Sequence, residues 1–141
     1  MKIAIGCDPN ATEYKKILTP FVEEMGHEVV DFGSDDPIYA NTAIRLATSV
    51  AAGECDRGIL ICGTGIGISI TANKIKGIRA AVCTDCFTAE ATRLHNDANI
   101  LALGGRVVGP GLAVKIVDTF LNTPFSNDER HIRRINQIET E

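Results

Sequence analysis

Arg57-Gly58-Ile59-Leu60-Ile61-Cys62, followed at once by Gly63-Thr64-Gly65-Ile66-Gly67-Ile68-Ser69, carries the architecture of this chain. An apolar run of strand length suits a strand buried on both faces, which belongs to a parallel sheet covered by helices. Three glycines in the next five residues turn the chain sharply. A helical pattern then begins.

The same alternation extends in both directions. Upstream, residues 2–7 form a short apolar strand, Asp8-Pro9-Asn10 a turn, and residues 12–25 a helix with Ile17, Leu18, Phe21 and Val22 on one face. Gly26 closes that helix, residues 28–32 read as a second strand, and residues 39–52 as a helix ended by Gly53. Downstream, the helix after the glycines runs to Lys76, and residues 79–83 form a fourth strand. A helix follows over 85–94, then a fifth strand over 100–103 and a helix from Pro110 to Leu121. The polar tail, residues 128–141, is helical and is expected to pack on a neighbouring subunit.

Five strands alternating with helices predict an α/β fold: a single doubly wound, mostly parallel five-stranded sheet with helices on both faces, Rossmann-like, in one domain over residues 1–141. Ligands in such sheets bind outside the carboxyl ends of the strands. That rule directs attention to Asp8, residues 62–67, residues 84–85 and residues 104–106.

Composition removes several classes of function. With 14 Lys plus Arg against 18 Asp plus Glu the net charge is −4, opposite to what phosphate-backbone binding requires, so no nucleic-acid partner is expected. The apolar runs fall far short of the roughly 18 residues that span a bilayer, and the amino terminus enters a strand pattern at once. The expectation is a cytoplasmic protein without a membrane partner. Five cysteines, an odd number without a secretory signal, argue against a disulfide framework. Cys83-Thr84-Asp85-Cys86 has no second Cys or His pair to complete a zinc site, so no metal is expected.

The glycine-rich loop is the feature richest in chemistry. Between strand and helix its backbone NH groups, aided by the helix dipole, can hold an anion or an oxyanion formed during reaction. The plainer reading is a tight turn that needs glycine for its dihedrals. The dinucleotide fingerprint fails because its third glycine position is Ile68, and no Gly-Lys-Ser or Gly-Lys-Thr marks a triphosphate loop. Cys62, at the strand end beside a helix amino terminus that favours a thiolate, is a candidate base or nucleophile, or else simple core. His95 falls in the polar segment Leu94-His95-Asn96-Asp97-Ala98-Asn99, where an acid/base role competes with helix capping. Arg130 and Arg134, four apart on a helix, offer two guanidinium forks to a phosphate, and with His131 and Arg133 form a basic cluster in an acidic chain. Such a run near a terminus is otherwise a solvated face.

Together these motifs resemble the ribose-5-phosphate isomerase B family, which includes the galactose-6-phosphate isomerase subunits. The resemblance runs from Ile3 to Asp8, through Val30-Asp31-Phe32-Gly33, residues 61–73, Gly77-Ile78-Arg79-Ala80-Ala81 and residues 95–99, to Leu101-Ala102-Leu103-Gly104 and Arg130-His131. It implies a metal-independent aldose-ketose isomerase that works through an enediol on a sugar phosphate, ribose 5-phosphate foremost, with no cofactor. Carried over, Cys62 is the base between C1 and C2, Thr64 assists proton transfer between the oxygens, and the NH groups of Gly63, Gly65, Ile66 and Gly67, with Ser69 nearby, stabilise the enediolate. His95 opens the sugar ring and Asn96 holds a hydroxyl. Arg106, Arg130 and Arg134 bind the phosphate, and Asp8, Pro9, Tyr39 and His131 complete the sugar site. The resemblance also implies a homodimer, or a dimer of dimers, with sites shared between subunits.

Two segments depart from the family pattern. Cys7-Asp8-Pro9 stands where the family usually has Ser-Asp-His, and Asp36-Pro37-Ile38-Tyr39 where it often has Tyr-Pro-Asp-Tyr. Both lie where the sugar is expected, so another sugar phosphate of four or six carbons, including allose 6-phosphate and galactose 6-phosphate, and a non-catalytic sugar-phosphate-binding subunit stay open. His95 favours five or six carbons, because a four-carbon aldose 4-phosphate cannot close a furanose ring. A thiol redox protein using Cys83 with Cys86, or Cys7 with Cys62, is the remaining alternative.

Overall fold

The computed structural model describes residues 1–140; Glu141, the last residue of the expected domain and tail, lies outside them. In chain order the elements are β1 (Lys2–Cys7), a 3-10 turn (Pro9–Ala11), α1 (Thr12–Glu24), β2 (Glu28–Gly33), α2 (Tyr39–Ala51) and β3 (Arg57–Cys62). They continue with α3 (Ile66–Ala72), β4 (Ala80–Val82), α4 (Cys86–Asn96), β5 (Ile100–Gly104), α5 (Pro110–Asn122) and α6 (Glu129–Glu139).

The strands form one sheet in the order β2-β1-β3-β5-β4, and every pairing is parallel. Side-chain alternation along the central strands divides the core in two. Ile3, Ile5, Ile59, Ile61, Leu101 and Leu103 pack with Leu18 and Val22 of α1, Ala89 of α4, and Ile116 and Phe120 of α5. Ala4, Leu60, Cys62, Ile100 and Ala102 face Ala43, Leu46 and Ala47 of α2 and Ile68 and Ala72 of α3. Steps from β1 to β2 and from β4 to β5 carry their helices on the first face, and the two opposite steps carry theirs on the second. All four crossovers therefore share one hand, as twisted parallel strands require. The chain leaves β1 in one direction and β3 in the other, so the topological switch lies between these two strands.

Of the differences from the sequence expectation, those at α3, β4 and α4 bear on the site. The helix after the glycine loop ends at Ala72 rather than Lys76, because the Asn73 side chain leaves the helix to pair with β4: it donates to the Ala80 carbonyl at 2.9 Å and accepts the Ala80 N–H at 2.7 Å. The same amide occupies backbone groups of an edge strand, so β4 is only three residues long. Finally, α4 begins after its cap Asp85, whose carboxylate accepts the Thr88 N–H at 2.7 Å, and continues to Asn96. His95 and Asn96 thus lie on the last helical turn and not in a polar loop. No helix among the described residues is long and apolar enough to cross a membrane.

Candidate active site

At the carboxyl ends of β1 and β3 the chain builds a cleft of about 190 Å³. Its β1 wall is Asp8, whose N–H donates to the Ile61 carbonyl at 2.9 Å and keeps the two strand ends together. The Asp8 carboxylate accepts the Asn10 N–H at 2.8 Å and caps the 3-10 turn, in which Pro9 occupies the first position, where no N–H is needed. Pro9 is therefore well placed for the backbone but brings no polar group to the cleft.

The β3 wall is Cys62 and its loop. Cys62 is 5% exposed, and its Sγ accepts the Gly65 N–H at 3.1 Å. Thr64 Oγ1 accepts the Ile66 N–H at 3.2 Å, which leaves its own proton free to be given elsewhere. Gly65 adopts φ +81° and packs on β5, where a Cβ would meet the Leu103 carbonyl carbon at 3.0 Å. The loop is clamped from the far side by Gly105 N–H donating to Cys62 O at 2.8 Å and Arg106 N–H to Gly63 O at 3.0 Å. Arg106 Cδ lies 3.6 Å from the point a Gly63 Cβ would occupy, so this guanidinium stem lies over the loop.

Two other loop positions serve packing. Tyr39 Oη stands 2.0 Å from where a Gly67 Cβ would be, so Gly67 is small because the phenol of α2 rests on the first turn of α3. Ser69 is buried and its hydroxyl points toward the Ala80 carbonyl of β4, at 3.5 Å, and not into the cleft. Sequence reasoning missed Asn10, Ala11 and Tyr14, which line the cleft. The Tyr14 hydroxyl donates to the Val108 carbonyl and its ring underlies Gly105. An aromatic one turn into the helix after the first strand was the available signal. Asp85 does not line the cleft; it caps α4.

The other predicted residues lie elsewhere. α4 runs antiparallel to the strands, which carries His95 about 14 Å along its axis from Cys86 toward the amino edge of the sheet. There the His95 and His131 rings meet with centroids 4.7 Å apart, and Ser126 Oγ lies 2.7 Å from His131 Nδ1. Arg130 grips Asp128 with two hydrogen bonds, Nε to Oδ1 at 3.1 Å and Nη2 to Oδ2 at 3.0 Å, which hold that carboxyl below the usual carboxylate range. Arg134 is exposed on the same helix. One chain thus divides the predicted set: Asp8, Pro9, Tyr39, Cys62 to Gly67, Ser69 and Arg106 near the cleft end, and His95, Asn96, Arg130, His131 and Arg134 at the opposite end. A larger groove of about 620 Å³ lies between β4, the turn after α3 and the end of α6, and Asn96 and Arg79 line it. Cys62 does not line that groove; it lines the smaller cleft.

The geometry bears on the thiol alternatives. Cys7 belongs to the α1/α5 face and Cys62 to the α2/α3 face, so their side chains are separated by the sheet. Burial pushes the Cys83 thiol up to about 11, opposite to the low value a redox-active CxxC needs.

A thiol at a strand end, a glycine-rich loop donating to it and an arginine above lie together in the crevice at the switch of a doubly wound sheet, where α/β enzymes place their ligands. The chain belongs to the ribose/galactose isomerase family, whose model matches residues 3–138. It is 47% identical to ribose-5-phosphate isomerase B of Escherichia coli over 97% of this chain and 93% of that protein. It is 43% identical to D-erythrulose-4-phosphate isomerase of Pectobacterium atrosepticum, over 89% of this chain and 85% of that protein. Its fold matches the structure of Clostridium thermocellum ribose-5-phosphate isomerase B with a TM-score of 0.95 at 50% identity, covering 99% of this chain and 96% of the other.

Proposed function

We propose that the chain interconverts an aldose phosphate and its ketose through an enediol, ribose 5-phosphate and ribulose 5-phosphate foremost. The observation that carries this reading is Cys62 at the β3 end, bonded to a loop N–H in a cleft beside Arg106. Abstraction of the C2 proton leaves negative charge on O1, so the reaction needs a base beside preorganised donors. Cys62 takes that proton and returns it to C1, while Thr64 passes the O2 proton to O1. The loop NH groups hold the enediolate and supply the charge stabilisation that a metal would otherwise give.

His95 opens the sugar ring, Asn96 holds a hydroxyl, and Arg106, Arg130 and Arg134 take the phosphate, whose binding energy orients the reacting carbons from a distance. Arg130 must then exchange Asp128 for the phosphate. Since His95 and Cys62 stand at opposite ends of one chain, the site is completed by a second copy. The exposed apolar side chains Ile66 and Ile70 on α3, and Phe87 at 80% exposure on α4, support such an association. A single domain and a cytoplasmic location belong to this reading.

Proton NMR in deuterated water with aldose phosphates of four, five and six carbons tests the proposal. Deuterium at C2 of ribose 5-phosphate with the ketose appearing is expected. Exchange with only a four- or six-carbon sugar would reassign the substrate, and binding without exchange would leave a non-catalytic sugar-phosphate subunit.

A further inference from the structure

The last turn of α4, which presents His95 and Asn96, is held by an ionic cluster that the reaction itself does not use. Arg93, two residues before His95, is 4% exposed. Its Nε donates to the Thr123 carbonyl at 3.0 Å, and one terminal nitrogen donates to the Ala98 carbonyl at 2.6 Å and to Asp97 Oδ1 at 2.8 Å. The Phe120 ring lies 5.9 Å beneath the guanidinium. Asp97 has φ +46°, a left-handed conformation that non-glycine residues adopt only when their surroundings impose it. Its N–H donates to the Arg93 carbonyl at 3.2 Å, and the Ala98 N–H to the Thr92 carbonyl at 3.1 Å, which closes the helix on the residues that carry the cluster.

Arg79 seals the outer side. Its Nε donates to the Asn96 carbonyl at 3.0 Å, its Nη2 to the Asp97 carbonyl at 2.9 Å, and the same nitrogen lies 3.6 Å from Asp97 Oδ2. The three carbonyls that follow His95, those of Asn96, Asp97 and Ala98, are thus each tied to a guanidinium. A buried charge with several fixed acceptors is a costly way to stabilise a fold, and its return is a single defined geometry. An exposed histidine at a helix end would otherwise fray with the turn that bears it.

We propose that Arg93 and Asp97, closed from outside by Arg79, are positioning residues that set the angle at which His95 and Asn96 meet the sugar ring. The inference rests on the reading of His95 as the ring-opening group. It separates two steps that a simple fold defect would not. An aldopentose 5-phosphate enters as a furanose and must be opened, whereas a pentulose 5-phosphate, with its O5 esterified, is already acyclic and needs only the Cys62 step to exchange a C1 proton with solvent.

The experiment compares turnover of ribose 5-phosphate with deuterium uptake at C1 of ribulose 5-phosphate, for wild type and for Asp97→Gly, Asp97→Asn and His95→Ala. Glycine accepts the backbone angle without the carboxylate; asparagine accepts it and keeps an acceptor for Arg93. Asp97→Gly is expected to lose aldose turnover by about tenfold or more, as misplacement by a fraction of an ångström would cause, with ketose exchange within about twofold of wild type. Asp97→Asn is expected to recover most of the loss. Equal loss of both activities in the two Asp97 variants, or undiminished aldose turnover in Asp97→Gly while His95→Ala loses it, would overturn the inference alone. A fully active His95→Ala, or a wild type inert toward the pentose pair, overturns the ring-opening reading and the inference with it.

Discussion

Cys62 and Thr64 each accept a single N–H of the glycine loop, so substitutions there test the proposed chemistry more than the fold. If Cys62 is the base proposed above, Cys62→Ala should abolish turnover while substrate affinity, carried by the proposed phosphate ligands, stays within about tenfold; undiminished kcat would remove Cys62 from the mechanism. Gly67 is a contrasting case. A methyl group there would meet Tyr39 Oη at 2.0 Å and Cζ at 2.9 Å, and the ring is wedged between α2 and α3. Gly67→Ala should therefore lower stability by about 1–3 kcal/mol, and adding Tyr39→Phe should restore part of it. Denaturant melts of the single and double variants measure that coupling, and simple additivity would mean the phenol does not rest there. From sequence, Gly67 reads as part of an anion cradle. Only the packing of α2 against α3 reveals the tyrosine, because the two helices meet across residues far apart in the chain.

At the scale of elements, the signals that held were local ones. β3 with its glycine turn, Gly26 and Gly53 after their helices, and Pro110 at the start of α5 all act through their own backbone. The ends that moved were decided by partners elsewhere. Asn73 stops α3 by bonding β4, and Asn99 accepts the Arg79 N–H at 2.9 Å while donating to Gly77 O at 2.9 Å, which sets where β4 and β5 begin. The cap of α4 has a defined pH signature. The Thr88 backbone hydrogen bond, ahead of other contributions, lowers the Asp85 carboxyl from its ordinary 3.8. An ionised, depressed carboxylate stabilises the fold fully above its unfolded value and loses that contribution as pH falls below 3.8 and through the folded value. Asp85→Ala should lower Tm by about 4 °C at neutral pH, and the difference from wild type should shrink on acidification. A gap in Tm that is independent of pH down to strongly acid solution would assign the effect to something other than the cap.

On the proposed reading, residues at opposite ends of the sheet serve one reaction. If two copies share each site, Cys62→Ala and His95→Ala damage different chains of the same site. Mixing the two inactive variants under conditions that exchange subunits should then restore about a quarter of wild-type activity, since about half the dimers are mixed and each keeps one intact site of two. No recovery, with exchange confirmed by mass, would place His95 outside the site that Cys62 serves. α6 bears on the same question. It touches its own chain through His131 on His95 and Glu139 on Arg79, while Ile132 and Ile138 stay exposed, as suits a helix that also meets a neighbour.

The order of strands and helices, the place of a cleft beyond β3 and the family itself were legible in the sequence, because apolar periodicity, glycine turns and short motifs are written in consecutive residues. Which helix face a loop glycine meets, the exit of Asn73 from α3, the helical setting of His95, the cluster of Arg79, Arg93 and Asp97, and the division of the candidate site residues between two ends of the sheet were decided by the tertiary structure. Those features rest on contacts such as Arg79 with Asn96, 17 residues apart, and Arg79 with Glu139, 60 residues apart. No local pattern records such a meeting, since it exists only once the parallel sheet has set the direction of every helix laid across it.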